Sequence, residues 1–365
     1  MLERFKVPEQ DQVRVTEQSL RRTVTAIFET VGLSHDDAAE GADVLVMADL
    51  RGVESHGVSN ELRHYVQMYG DGLLNPTPQV RIDREWPGTA TIDADQGLGI
   101  VMGRRVMQMA IDKAKEVGFG AVTMHNSGHL GAVGHFAMIA AQQDMVGMCT
   151  TSGGTIMAPT FAAESRFGTN PISVAAPTGS EPPFLYDAAT TSVAINKVIL
   201  LKRLGVDVHP GWITDKEGTP VMDERPVPEL GEYSLLPLGS TRELGSHKGY
   251  GLATIVEILG SLLSGNLPTM VGGYAPGAPH RNFFAAFDIA AFSDVDEFKN
   301  NMDETLRTLR ESPPAPGHER VLYPGLAEYE TEQERRANGI PLHREVVGWF
   351  ESMVEERGVP RLEPR

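Results

Sequence analysis

Between about residues 78 and 292, short apolar runs alternate with segments of helical spacing, and no other feature of the chain restricts its fold as much. Ala90-Thr91-Ile92-Asp93, Ala121-Val122-Thr123-Met124 and Val146-Gly147-Met148-Cys149 read as strands, as do residues 171–175 and 184–186. Between them, residues 100–117 carry Met102, Val106, Met109, Ala110 and Ala114 at helical spacing. Residues 133–143 and 250–263 read as further helices, the last ending at Gly265. Such a series makes a sheet covered by helices, so the predicted class is α/β or α+β.

The flanks are different. Thr16 caps a predicted helix with Leu20, Val24, Ile27 and Phe28 on one face, closed by Gly32. Ser34, with Asp36 and Asp37 in the first turn, opens a second helix carrying Val44, Leu45, Met47 and Ala48. A third holds Leu62, Tyr65, Val66 and Tyr69, and Asp71-Gly72 and Asn75-Pro76 mark a boundary. The tail is helical again after Ser293, and Leu342, Val346, Val347, Trp349, Phe350 and Val354 form a face suited to packing on the first helices. The layout expected is therefore a helical domain from both chain ends (1–76 and 293–365) around an α/β domain (77–292).

Charge and composition exclude several classes. The 32 basic and 49 acidic residues leave a net charge of −17, opposite to a nucleic-acid-binding footprint. No apolar run approaches the roughly 20 residues that span a bilayer, and MLERFKVPEQDQVRV lacks the apolar core of a signal peptide. The single cysteine, Cys149, permits no internal disulfide, fits a reducing cytoplasm and sits in a core strand pattern.

Four motifs carry candidate chemistry. Gly97-Leu98-Gly99-Ile100-Val101-Met102-Gly103 follows a strand and opens a helix, but its spacing is not that of the dinucleotide fingerprint. The strand that should end in a ribose-binding acid ends in Met124-His125-Asn126, so a Rossmann site is not predicted. His125, His129 and His135 have the offsets of a zinc-protease motif, which gives a rival reading as a zinc hydrolase. Against it, Asn126 stands where the general base should be, and Asn-Ser-Gly breaks the helix such a motif needs. No metal is therefore predicted, and a strand-to-helix loop presenting His129 is the better reading.

Asp49-Leu50-Arg51-Gly52-Val53-Glu54-Ser55-His56-Gly57-Val58 is poorly explained by core packing, and His56 with His129 makes a reasonable pair for proton transfer near neutral pH. Gly245-Ser246-His247-Lys248-Gly249-Tyr250-Gly251 opens an apolar helix with backbone N–H groups and a lysine, which suits a phosphate.

Taken together, these segments resemble the malate/L-lactate dehydrogenase family that lacks a Rossmann fold, which also includes ureidoglycolate and sulfolactate dehydrogenases, diketogulonate reductase and piperideine-carboxylate reductases. The stretches that carry the resemblance are Ala48 to Val58, Asp71 to Pro76, Asn126 to Ala132 and Phe167 to Ile172. Asp187 to Ala194, Gly211-Trp212 with Asp215 and Gly218, Leu236 to Gly239 and His247 to Leu252 follow in family order. Tyr323-Pro324-Gly325 and Gly339 to Leu342 complete it, over about residues 15–350.

The resemblance implies a non-Rossmann NAD(P)-binding α/β domain and reversible hydride transfer between NAD(P)H and C2 of a 2-oxo, 2-hydroxy or cyclic 2-imino acid. It also implies a homodimer with active sites near the subunit interface. It makes His56 and His129 the proton-transfer candidates and Asp187 the carboxylate that orients a histidine. Ser55 joins them on the substrate side. Cofactor contacts are implied for Ser152, for Thr190, Thr191, Ser192, Asn196 and Lys197, for His247 and Lys248, and for Pro324 and Gly325.

Three departures stand out. Many members carry a substrate-gripping Arg four residues after the first His; here Asn60 stands there, the segment up to Tyr65 is one residue longer, and Arg63 is the replacement expected. Pro-Gly-Glu is Pro324-Gly325-Leu326, and the usual Gly before the lysine is Asn196. The prediction is a cytoplasmic NAD- or NADP-dependent oxidoreductase. The zinc hydrolase and a non-catalytic homodimeric binding protein are its rivals.

Overall fold

The computed structural model describes residues 7–365; residues 1–6, the start of the segment read above as lacking a signal peptide, lie outside them. Strand β1 (Gln12–Val15) leads into α1 (Glu17–Thr30), whose first turn is closed by Thr16 Oγ1 accepting from the Ser19 amide at 3.2 Å. Ser34 does the same for Asp37 at the head of α2 (His35–Leu50). A single turn, Glu54–His56, and a π-turn, Val58–Leu62, then lead to α3 (Arg63–Gly70). A π-turn holds one residue more than an α-turn, so it shifts the helical phase of the residues that follow.

The sheet is built from β2 (Arg81–Trp86), β3 (Thr89–Asp93), α4 (Gly99–Val117), β4 (Phe119–Ser127), α5 (Gly134–Ala141), β5 (Met145–Ser152), β6 (Ile172–Ala176) and β7 (Phe184–Ala188). After α6 (Ile195–Leu204), α7 (Ser246–Glu257) and α8 (Thr269–Gly272), β8 (His280–Asp288) returns to it. The strand order is β2-β3-β4-β8-β5-β6-β7, with β3 and β4 parallel around α4 and the other pairings antiparallel. The class is thus the α/β, non-Rossmann sheet expected. The glycines of the 97–103 segment serve packing: a Cβ on Gly99 would lie 2.6 Å from the Gly128 carbonyl, and one on Gly103 would lie 2.4 Å from the Phe136 ring.

β8, the strand between β4 and β5, is absent from the sequence reading. Its Asn282 to Ala286 stretch is buried on both faces, so it shows no alternation to mark it as a strand.

The chain ends meet. β9 (Ile340–His343) pairs antiparallel with β1, Val15 opposite Ile340, and α11 (Arg344–Arg357) buries Val346, Phe350 and Met353 in the core that holds Leu20 and Phe28. α10 (Leu326–Asn338) packs against α2. α9 (Val295–Arg310) goes elsewhere: Asp303 accepts from the Gly179, Ser180 and Glu181 amides and holds it to that turn. One continuous core joins Phe28 and Leu45 to Ile92, Met124 and Phe284 of the sheet. A second cluster, with Met157, Val198, Ile213 and Leu235, sits under the loops between β5 and α7. No described helix is long and apolar enough to cross a membrane.

Candidate active site

The turn that carries Ser55 and His56 is held from beneath by Asp49 at the end of α2. Asp49 Oδ2 accepts from the Val58 amide at 2.8 Å, and a Cβ at residue 57 would lie 2.0 Å from Oδ1, so only glycine fits there. Arg335 of α10 closes the turn from the other side. It donates to the Asp49 carbonyl at 2.5 Å and to Glu54 Oε1 at 2.6 Å, and is 7% exposed.

Asp49 is fully buried, and burial raises its carboxyl from 3.8 to about 7. The folded state therefore keeps a proton that the unfolded chain releases at lower pH. The stability this contributes is complete below the unfolded value and is lost as pH rises toward 7. Asp49→Asn removes the effect, so the difference in unfolding free energy should move in the variant's favour between pH 4 and 8, by up to roughly 4 kcal/mol. Denaturant titrations at the two pH values check it; a pH-independent difference rules the buried proton out.

His129 follows β4. The chain turns at Asn126, whose φ is +52° and whose side-chain Nδ2 donates to Asp93 Oδ1 at 2.8 Å, and the His129 carbonyl then accepts from the Ile100 amide at the start of α4. The loop sets the imidazole against His56, with ring centroids 5.8 Å apart, and against His280 of β8, at 5.3 Å. Desolvation comes first in holding all three rings low, His56 and His129 to about 4 and His280 to about 3. All three imidazoles are therefore neutral at neutral pH.

Glu61 and Tyr65, given no functional role in the sequence, complete the cluster together with Asn196, which was expected on the cofactor. The Tyr65 hydroxyl lies 2.6 Å from His129 Nδ1, and the 7%-exposed Glu61 places Oε2 3.7 Å from the same nitrogen. Asn196 Nδ2 donates both to Glu61 Oε1 at 2.8 Å and to the Ser55 carbonyl at 2.7 Å, which joins the two histidine loops. The available signal was Glu61 four residues before Tyr65, an acid on the core face of a predicted helix. Nothing local marked His280 or Arg335.

The other expected site residues divide into groups. Asp187 stands on no histidine: its Oδ2 accepts from the Gly134 amide at 2.7 Å, capping α5, and burial with Glu328 nearby raises it to about 6. It borders a cavity of about 880 Å³ whose lining also includes Arg51, Ala132, Ala188, Pro324, Gly325 and Glu328. Lys197 links the two regions, its charge acting on His56 and feeling Glu328. The Thr190, Thr191 and Ser192 hydroxyls donate to the carbonyls of Thr169, Val193 and Pro237, and Ser152 Oγ meets Ser261 Oγ at 3.0 Å. His247 and Lys248 are exposed at the head of α7, with His247 Nδ1 3.1 Å from Arg242.

Two expectations on the substrate side differ from the structure. Asn60 donates to the Glu54 carbonyl at 2.6 Å, and Arg63 is half-exposed, paired with Glu345 at 3.0 Å and seated over the Trp349 ring. The π-turn rotates the segment so that Glu61, rather than Arg63, faces the histidines. The zinc reading fails on geometry. His125 Nε2 bonds Asp83 at 2.8 Å, His129 bonds Tyr65 and His135 lies beside Asp43, with no helix to align the first two. No group of metal-ligating side chains able to hold an ion occurs among the described residues.

The whole arrangement has known relatives. The family model described as malate/L-lactate dehydrogenase matches residues 15–350. A malate dehydrogenase of Pyrococcus horikoshii is 38% identical over 97% of this chain and 98% of its own length. The solved structure of the malate dehydrogenase from that organism superposes with a TM-score of 0.88, at 36% identity and with 98% of this chain and 99% of that one covered. An L-sulfolactate dehydrogenase of Methanocaldococcus jannaschii is 34% identical over 93% of this chain and 96% of its own. A malate dehydrogenase structure from Entamoeba histolytica gives a TM-score of 0.89 at 33% identity, covering 96% of this chain and 99% of that one. With the two histidine loops, the non-Rossmann sheet and the match over nearly its full length, the chain belongs to the malate/L-lactate dehydrogenase family.

Proposed function

We propose that the protein is a cytoplasmic NAD(P)-dependent oxidoreductase that interconverts a 2-hydroxy acid and its 2-oxo acid, and that His129, backed by His56, moves the proton. The observation that carries this reading is the stacked, neutral pair of buried imidazoles between two loops of a dehydrogenase-family fold. A bound nicotinamide supplies or takes the hydride at C2 of the substrate. Room for part of a dinucleotide is supported by the 880 Å³ cavity, which is within the range of small-molecule sites and is lined by Pro324 and Gly325, two of the residues expected on the cofactor. Beside His129, the Nδ1 of His280 is buried without a protein partner, as are the Thr151 hydroxyl and both amide atoms of Asn282 along the adjoining strands.

The remaining roles follow from position. In oxidation a neutral imidazole accepts the hydroxyl proton; in reduction its protonated form returns it to the carbonyl oxygen. Lys197 brings positive charge to His56 and is the group placed here on the substrate carboxylate. Lys197→Ala should therefore raise KM for the acid at least ~10-fold, as loss of a charged contact does, and Arg63→Ala should raise it far less. Initial rates at varied acid and fixed cofactor check the order; the reverse order restores Arg63 as the anchor. Ile255, Ile258, Leu262, Leu263, Leu267 and Val271 leave an exposed apolar face along α7, α8 and the turns between them, which supports a homodimer. Sedimentation of the purified protein tests that assembly.

The activity test is a panel of 2-oxo mono- and dicarboxylates, a sulfonated 2-oxo acid and cyclic imino acids, followed by loss of NADH or NADPH absorbance. At least one 2-oxo acid should turn over. Turnover of cyclic imino acids alone makes the chain an imine reductase on this fold, and silence with every compound and both cofactors overturns the reading.

A further inference from the structure

Glu61 and Asn196 lie 135 residues apart, yet they bond to each other at 2.8 Å. Asn196 uses its two amide hydrogens on Glu61 Oε1 and the Ser55 carbonyl, so it fixes the carboxylate and the first histidine loop together. The π-turn at Val58–Leu62 turns Glu61 inward, one helical turn before Tyr65. Burial first, and then the charge of Glu61 and a hydrogen bond that its carboxylate accepts, hold the Tyr65 phenol protonated, and the phenol oxygen stands 2.6 Å from His129 Nδ1. An ionised carboxylate only accepts hydrogen bonds, so the phenol hydrogen points to Glu61. The phenol oxygen is then left to accept from Nδ1.

We propose that Glu61 and Tyr65 are positioning residues for His129, which lock its hydrogen on Nδ1, leave Nε2 as the nitrogen that exchanges a proton with the substrate, and stabilise the imidazolium once it forms. This rests on the dehydrogenase reading for the role of Nε2, though the tautomer itself does not. During oxidation the substrate hydroxyl would give its proton to Nε2, and a bound nicotinamide would take the hydride from C2. Nδ1–H stays on the Tyr65 oxygen throughout, and the positive charge on the ring faces the Glu61 carboxylate. Reduction is the same exchange reversed. The groups facing the His129 ring are His56 from the first loop, Glu61, His64 and Tyr65 from the third helical segment, and His280 from β8. Glu61 is the acid among them.

Two measurements test the pair, one of which needs no activity. Nitrogen-15 NMR of the imidazoles in the full-length protein, with His129 assigned by its loss in His129→Gln, should show a protonated Nδ1 and a bare Nε2. The tautomer should become mixed in Tyr65→Phe, which keeps the ring volume. A bare Nδ1 in the unaltered protein overturns the proposal whether or not any substrate turns over. If the protein is active, Glu61→Gln should lower kcat ~10- to 100-fold, part of what positioned proton transfer supplies, with little change in KM for the cofactor. It should also move the pH limb of kcat to lower pH by about one unit or more, since removing the carboxylate destabilises the imidazolium. Glu61→Asp should restore part of the shift. A limb that stays in place while the protein remains folded makes Glu61 structural and overturns the proposal.

Discussion

Replacing His129 by alanine is expected to lower kcat about 10²–10⁴-fold, the usual contribution of a positioned proton donor or acceptor, with a much smaller effect on cofactor affinity. His129 is where the contacts converge: Tyr65 on one nitrogen, His56 and His280 against its faces, and its own carbonyl on the first turn of α4. His56 has a looser anchor, the Ser55 hydroxyl at 2.9 Å from Nδ1. His56→Ala should therefore cost less, and the double variant should cost little more than His129→Ala, because residues that act as a unit are not additive.

The pH dependence follows from the same geometry. kcat/KM reports the free enzyme, in which burial holds both rings to about 4. Oxidation needs a neutral ring, so kcat/KM for the hydroxy acid should persist well below pH 6 and fall only as pH drops through about 4 to 5. Reduction needs the protonated ring, so its kcat/KM should rise as pH falls over the same range. An oxidation limb near 6.5, the value of a free histidine, would place the reacting group in water and remove His129 from the role. Full kcat in His129→Ala would do the same.

The second large effect is on stability. Arg335→Ala is expected to cost about 3–5 kcal/mol, the range for removing one partner of a buried ion pair. It strands Glu54 and the Asp49 carbonyl beneath the Ser55-His56 turn, and it unties α10 from α2. Denaturant midpoints should fall accordingly, and kcat should fall further than stability alone requires because the turn that holds His56 loosens. Arg335→Lys should recover little, since one ammonium cannot reach both acceptors in a fork. A loss below about 1 kcal/mol would show the pair to be no more than a surface salt bridge.

Much of the frame was legible in sequence. The caps at Thr16 and Ser34, the strand-helix alternation to β6, the return of the tail to the first helices and the two histidine loops all appear where local rules placed them. Those signals are carried by residues three or four apart, and the chain needs no tertiary contact to show them. The Gly249 position of the 245–251 motif has a similarly plain explanation: a Cβ there would lie 2.4 Å from the Leu238 amide.

Other features were not legible. Arg63 lies seven residues after His56, which in an uninterrupted α-helix is roughly the same face. The π-turn between them changes that phase, so Arg63 meets Glu345 and Trp349 and the inward position passes to Glu61. Asp187 was expected on a histidine, and the register of β7 beside β6 sets it on the first turn of α5. β8 went unseen because a strand covered on both faces has no period to read.

The sequence by itself determined most of the elements, the caps at Thr16 and Ser34 and the family, and it proposed two histidines for proton transfer, because spacing, residue chemistry and turn propensity are properties of a few neighbouring residues. Tertiary structure alone decided which side chains meet: Asn196 with Glu61, Arg335 with Glu54, and His280 with His129. Those pairs are brought together by chain closure over long separations, and a one-residue change of helical phase is enough to exchange one partner for another. Local pattern constrains the direction of a side chain only relative to its own element. Where that element points is set when β8 enters the sheet between β4 and β5 and the two chain ends pair as β1 and β9.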